Sequence, residues 1–94
     1  MTMSQEAGEV FALRALGWLV GQDEILPSFL GATGASEADV KARAADPAFL
    51  LSVLEFLMMN DAWVMECCDA IAAPYERMAE AKFALPGGAE MSWT

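Results

Sequence analysis

The stretch Asp46-Pro47-Ala48-Phe49-Leu50-Leu51-Ser52-Val53-Leu54-Glu55-Phe56-Leu57-Met58-Met59-Asn60-Asp61 decides the fold. Asp46-Pro47 is a helix start. The Asp side chain accepts from an early free N–H, and Pro sits in the first turn, where its missing N–H is not needed. From Ala48 to Met59 the residues are apolar on almost every side, broken only by Ser52 and Glu55. That pattern belongs to a helix surrounded by other helices. Pro47 to Met59 is also short of the roughly 20 residues needed to cross a bilayer, so it reads as the central core helix. Asn60-Asp61 ends it and caps the next.

Working outward, the same punctuation recurs. Toward the C-terminus, a helix from Ala62 to about Ile71 turns Trp63, Cys67, Ala70 and Ile71 inward and Glu66 and Asp69 to water. Pro74 begins a last helix reaching about Leu85, and Pro86-Gly87-Gly88 stops it. Toward the N-terminus, Ser36 and Asp39 form a capping box opening a helix to about Ala45, with Glu37–Lys41 and Asp39–Arg43 as i,i+4 pairs. Before it lies a short helix within Asp23 to Thr33, with Pro27 in its first turn and Gly34 at a left-handed end. The first helix runs from Ser4, its N-cap, to Val20, with Val10, Leu13, Leu16, Leu19 and Val20 as its apolar face and Gly21 as its end. No stretch alternates apolar with polar residues as a half-buried strand does. The expected fold is therefore all-α, a compact orthogonal bundle of five to six short helices. Residues 1–88 form one domain, and residues 89–94 form a tail that is ordered only where Trp93 finds a pocket.

Charge and composition narrow the function classes. The 94 residues carry fourteen acids against five bases, a net charge of −9, spread evenly over both halves. Nucleic-acid binding requires Lys and Arg to neutralise phosphates, so nucleic acid is not an expected partner, and neither is an anionic membrane surface. Histidine is absent, which removes the commonest metal ligand and the usual near-neutral general base. Cys67 and Cys68 are adjacent, point about 100° apart on a helix and lack C-x-x-C spacing, so they read as apolar fillers rather than a disulfide or metal site. Reduced thiols favour the cytoplasm, and Met1 to Gly8 has neither the charge nor the apolar run of a signal peptide. No catalytic constellation, metal site or cofactor motif is present, so the expectation is a protein that is not an enzyme and uses no cofactor.

Four landmarks in order carry a resemblance: Phe29-Leu30-Gly31-Ala32-Thr33-Gly34, Asp46-Pro47-Ala48-Phe49-Leu50, Val53-Leu54-Glu55-Phe56-Leu57 and Leu85-Pro86-Gly87-Gly88. Over roughly Arg14 to Trp93 the chain resembles a family of short, acidic, helical alphaproteobacterial proteins catalogued as a domain of unknown function. The resemblance implies a cytoplasmic bacterial protein and no activity or site residues. Cys67-Cys68 is not part of the family's pattern.

Two features single out candidate sites. Arg14 is the only base before Lys41 and shares a helical stripe with Phe11 and Trp18, where its guanidinium is expected over a ring or against a carboxylate of another helix. In a functional role it would anchor the anion of a small ligand. The apolar surplus of Ala48 to Met65 exceeds what a small core hides, and Met58, Met59, Trp63 and Met65 are of kinds enriched at interfaces. Gly31-x-x-Gly34 lacks the Lys of a phosphate loop. A helix-turn-helix over Gly31 to Ala45 would bring Glu37 and Asp39 to DNA beside Lys41 and Arg43. The leading expectation is an interaction or assembly module with a protein partner, a second copy of itself included as a homodimer. A ligand-binding or sensor domain using Arg14 is the alternative.

Overall fold

Six helices follow one another along residues 3–88, which the computed structural model describes: α1 (Gln5–Val20), α2 (Ile25–Thr33), α3 (Glu37–Arg43), α4 (Pro47–Leu57), α5 (Asp61–Ala70) and α6 (Glu76–Ala84). Among the described residues there is no strand, so the fold is all-α. The expected tail lies outside the described residues, Trp93 with it. The radius of gyration is 12.4 Å, about what a compact domain of this length has.

Capping chemistry sets the helix starts. Ser4 accepts from Ala7 N–H at 3.0 Å, Asp46 from Ala48 N–H at 3.0 Å and Asn60 from Ala62 N–H at 2.9 Å. The capping box of α3 is complete: Ser36 Oγ accepts from Asp39 N–H at 3.1 Å and the Asp39 carboxylate accepts from Ser36 N–H at 2.9 Å. That duty alters the expected i,i+4 pairs. The Asp39 carboxylate turns back to the cap and Arg43 lies over the Phe49 ring, 4.9 Å from its centroid. Neither Asp39–Arg43 nor Glu37–Lys41 closes as an ion pair. Gly34 takes the left-handed φ of +73° that ends α2.

α4 is the central helix, with Phe49, Leu50, Val53, Leu54, Phe56 and Leu57 buried. Phe29 of α2 is fully buried and meets Phe49 and Phe56 edge-on, at centroid distances of 5.8 and 5.3 Å. Trp63 of α5 stacks on Phe56 at 5.0 Å. Burying each such side chain contributes on the order of 1.5–3 kcal/mol before entropy is counted. No polar or charged side chain is buried among the described residues. α4 and α5 are bent by 116° at their junction, the orthogonal step expected. No single helix among the described residues is long and apolar enough to cross a membrane.

The inward face of α1 differs from expectation. Gly8, Phe11, Ala12, Ala15, Leu16 and Leu19 are buried, whereas Val10, Leu13 and Val20 are about half exposed, at 56, 49 and 48%. The cause is close approach to α6. A Cβ on Gly8 would stand 3.0 Å from Ala84 Cβ and 3.1 Å from the Ala81 carbonyl oxygen. Small residues at 8, 12 and 15 thus bring two backbones together, and this contact wins over a looser one made by Val10, Leu13 and Val20. α1 packs chiefly on α6 and α4 and also touches α5 and α2.

α5 also departs from expectation at its end. Cys68 is buried beside Cys67, and Ala70 is exposed. Ala73 N–H donates to Cys68 O at 2.9 Å and Ala72 N–H to Asp69 O at 3.4 Å, a Schellman stop in which Ala72, at φ +59°, holds the position usually given to glycine. Pro74 and Tyr75 then make a turn, so α6 starts at Glu76 and not at Pro74.

Candidate functional site

Three features separate once the packing is known. The first is the thiol pair. Cys67 and Cys68 are free and fully buried. Burial, and then the neighbouring Cys68, push the Cys67 thiol up to about 12. Burial, and then the charges of Asp69 and Glu76, raise Cys68. Such thiols are poor nucleophiles and poor metal ligands. No group of three His, Cys, Asp or Glu side chains suited to a metal ion occurs among the described residues.

Arg14 is placed differently from either expectation. Its guanidinium meets neither a ring nor a carboxylate, and its Nη2 donates to the carbonyl oxygen of Ile71 at the end of α5. A cation on the last carbonyls of a helix offsets the negative end of the helix dipole. Arg14 also lines a groove of about 510 Å³ between α1 and the start of α6, with Phe11 and Val10 on one wall and Ala73, Pro74 and Arg77 on the other. The spacing of Arg14 with Phe11 announced this wall; Arg77 carried no such signal.

The third feature lies on the outer face of α1. Val10, Leu13, Gly17 and Val20, at helical spacing, make an exposed stripe. One apolar depression of about 210 Å³ is lined by Val10, Leu13, Ala44, Ala45 and Leu50, with Glu6 and Glu9 at its edge. A second, of about 100 Å³, is lined by Val20, Leu26 and Val40, with Glu37 and Lys41. The two lie toward opposite ends of the stripe, about 15 Å apart along α1 from Val10 to Val20 at 1.5 Å per residue.

The predicted surface from Met58 to Met65 is split. Met59 and Met65 are exposed, at 79 and 46%. Met58 and Trp63 are half-buried against the core. Trp63 and Met65 are about 200° apart around α5 and leave it on opposite sides. The four residues do not share one face.

Six helices on a shared apolar core, with an exposed apolar stripe, an arginine-lined groove and no reactive cluster among the described residues, define a small all-α domain whose distinguishing features are surfaces. The chain belongs to the family described as protein of unknown function DUF3572, whose model matches residues 5–88. No curated protein and no solved structure matches the chain.

Proposed function

We propose that this protein is a non-enzymatic interaction module of the bacterial cytoplasm that seats an amphipathic helix of a protein partner along the exposed apolar stripe of α1. The observation that carries this reading is the exposure of Val10, Leu13 and Val20 in one row, flanked by apolar depressions at both ends. Exposed apolar stripes with polar rims are what partner helices cover, through anchors one or more turns apart. Glu6, Glu9 and Glu37 against the single base Lys41 favour a basic partner helix. The two free, buried thiols support a reducing compartment. Nucleic acid and membranes are not proposed as partners, since the net charge is −9, Arg43 lies on Phe49 and Arg77 pairs with Glu80 at 2.7 Å.

The test compares co-purification from the native cell using wild type, the Leu13→Asp/Val20→Asp double variant and Met59→Asp, each checked for helicity. The expected result is a partner retained by wild type and Met59→Asp and lost by the double variant. Retention of every partner by the double variant would overturn the stripe as the docking face. Concentration-dependent sedimentation abolished by the same pair would make the partner a second copy in place of another protein.

A further inference from the structure

We infer that the groove between α1 and the start of α6 binds a small monocarboxylic acid with an apolar body, its carboxylate held between Arg14 and Arg77. The groove, about 510 Å³, has the size of small-molecule sites, about 300–1,000 Å³. Two of the five bases in a chain of net charge −9 line it.

Arg14 is the unusual member. Despite fourteen acids in the sequence, Arg14 forms no ion pair among the described residues, where Arg77–Glu80 is the only salt bridge. The Ile71 carbonyl takes one of its donors. That bond fixes the planar fork and leaves its other N–H groups without a protein partner among the described residues, the arrangement that suits bidentate capture of a carboxylate. Arg77 is held only by Glu80, an exposed i,i+3 partner, and a ligand carboxylate competes readily with such a pair. α6 begins beside this wall with no side-chain cap and with Glu76 in its first turn, so the two arginines, not the helix end, supply the attraction.

The remainder of the groove describes the ligand's body. Ala7, Val10 and Phe11 lead away from Arg14 along α1 as an apolar strip roughly 10 Å long. Glu6 lies toward the far end with Met3 and Ser4, where its charge would repel a second carboxylate. The site shares Val10 and Glu6 with the depression at the N-terminal end of the α1 stripe and is otherwise separate, so it does not depend on the interaction reading.

The experiment is titration of decanoate into the full chain, followed by amide chemical shifts, with decan-1-ol and inorganic phosphate as separate arms. Saturable shifts at Ala7, Phe11, Arg14, Ala73 and Arg77 are expected. The alcohol, which loses a charge-assisted hydrogen bond, and phosphate, which keeps the charge and loses the apolar body, should each bind about tenfold more weakly or worse. Arg77→Ala should weaken decanoate about tenfold while leaving the urea midpoint unchanged, which separates ligand contact from folding. Arg14→Lys, which keeps the charge and loses the fork, should weaken it as well. Decan-1-ol binding as tightly as decanoate, unchanged affinity in Arg77→Ala, or shifts that fail to saturate would each overturn the site.

Discussion

Arg14 of α1 donates a guanidinium N–H to the carbonyl of Ile71, 57 positions later in the chain, and so fastens the first helix to the C-terminal end of the fifth. This is a structural bond with a measurable contribution. Arg14→Ala should lower stability by about 1 kcal/mol, a fall in Tm of about 4–8 °C for a domain of this size. Thermal unfolding of the two proteins checks it. An unchanged Tm would mean that the bond is replaced by water without loss.

Ala72 pays for the same junction with a φ of +59°. An L-residue in the left-handed region costs roughly 1–2 kcal/mol relative to glycine, part of which glycine loses again through its freer unfolded chain. Ala72→Gly should therefore stabilise by about 0.5–1 kcal/mol, read as a higher urea midpoint at constant m-value. Destabilisation would show that the surrounding turn prefers Ala.

One substitution made twice on α1 should give opposite signs. A Cβ at Gly17 meets nothing within 4 Å, so Gly17→Ala gains helix propensity of up to about 1 kcal/mol. At Gly8 the same atom comes within 3.0 Å of Ala84 Cβ and 3.1 Å of a backbone oxygen. Overpacking there costs about 1–3 kcal/mol, outweighing the propensity gain. Paired denaturation curves decide it, and two shifts of equal sign would contradict the close α1–α6 approach.

The buried thiols give the protein an alkaline weakness. Burial holds Cys67 protonated up to about pH 12, against an ordinary value of 9.0, so the folded chain binds this proton more tightly than the unfolded one. The resulting stability is complete below pH 9 and is lost as pH rises toward 12. Urea midpoints should fall between pH 9 and 11 more steeply in wild type than in Cys67→Ala, and iodoacetamide should label the native thiols far more slowly than the urea-unfolded ones. Equal slopes in the two proteins would reject the assignment.

Helix positions were legible because caps are local chemistry: Ser4, Ser36, Asp46 and Asn60 each accept where the sequence placed them. The enclosure of α4 was legible too, since a helix apolar all round has one comfortable place. The orientation of α1 was not. Val10, Leu13 and Val20 outrank Gly8, Ala12 and Ala15 on any hydrophobicity scale, and only the arrival of α6 makes small residues the better face. The signal was the spacing of Gly8, Ala12 and Ala15, a seam for close backbone contact. Both proposed surfaces follow from that rotation, which leaves Val10 exposed and brings Arg14 beside the turn before α6. The stop at Ala72 was hidden because the chain uses alanine where a glycine would have announced it.

Contact between Gly8 and the Ala81–Ala84 turn also sets the order of events as the chain is made. Gly8 leaves the ribosome early, yet the helix it packs against is synthesised some seventy residues later. A nascent chain that has reached α4 carries two apolar faces without their partner, and closure must wait for almost the whole loop to be available. The α1–α6 seam is therefore the last part of the core that the growing chain can close.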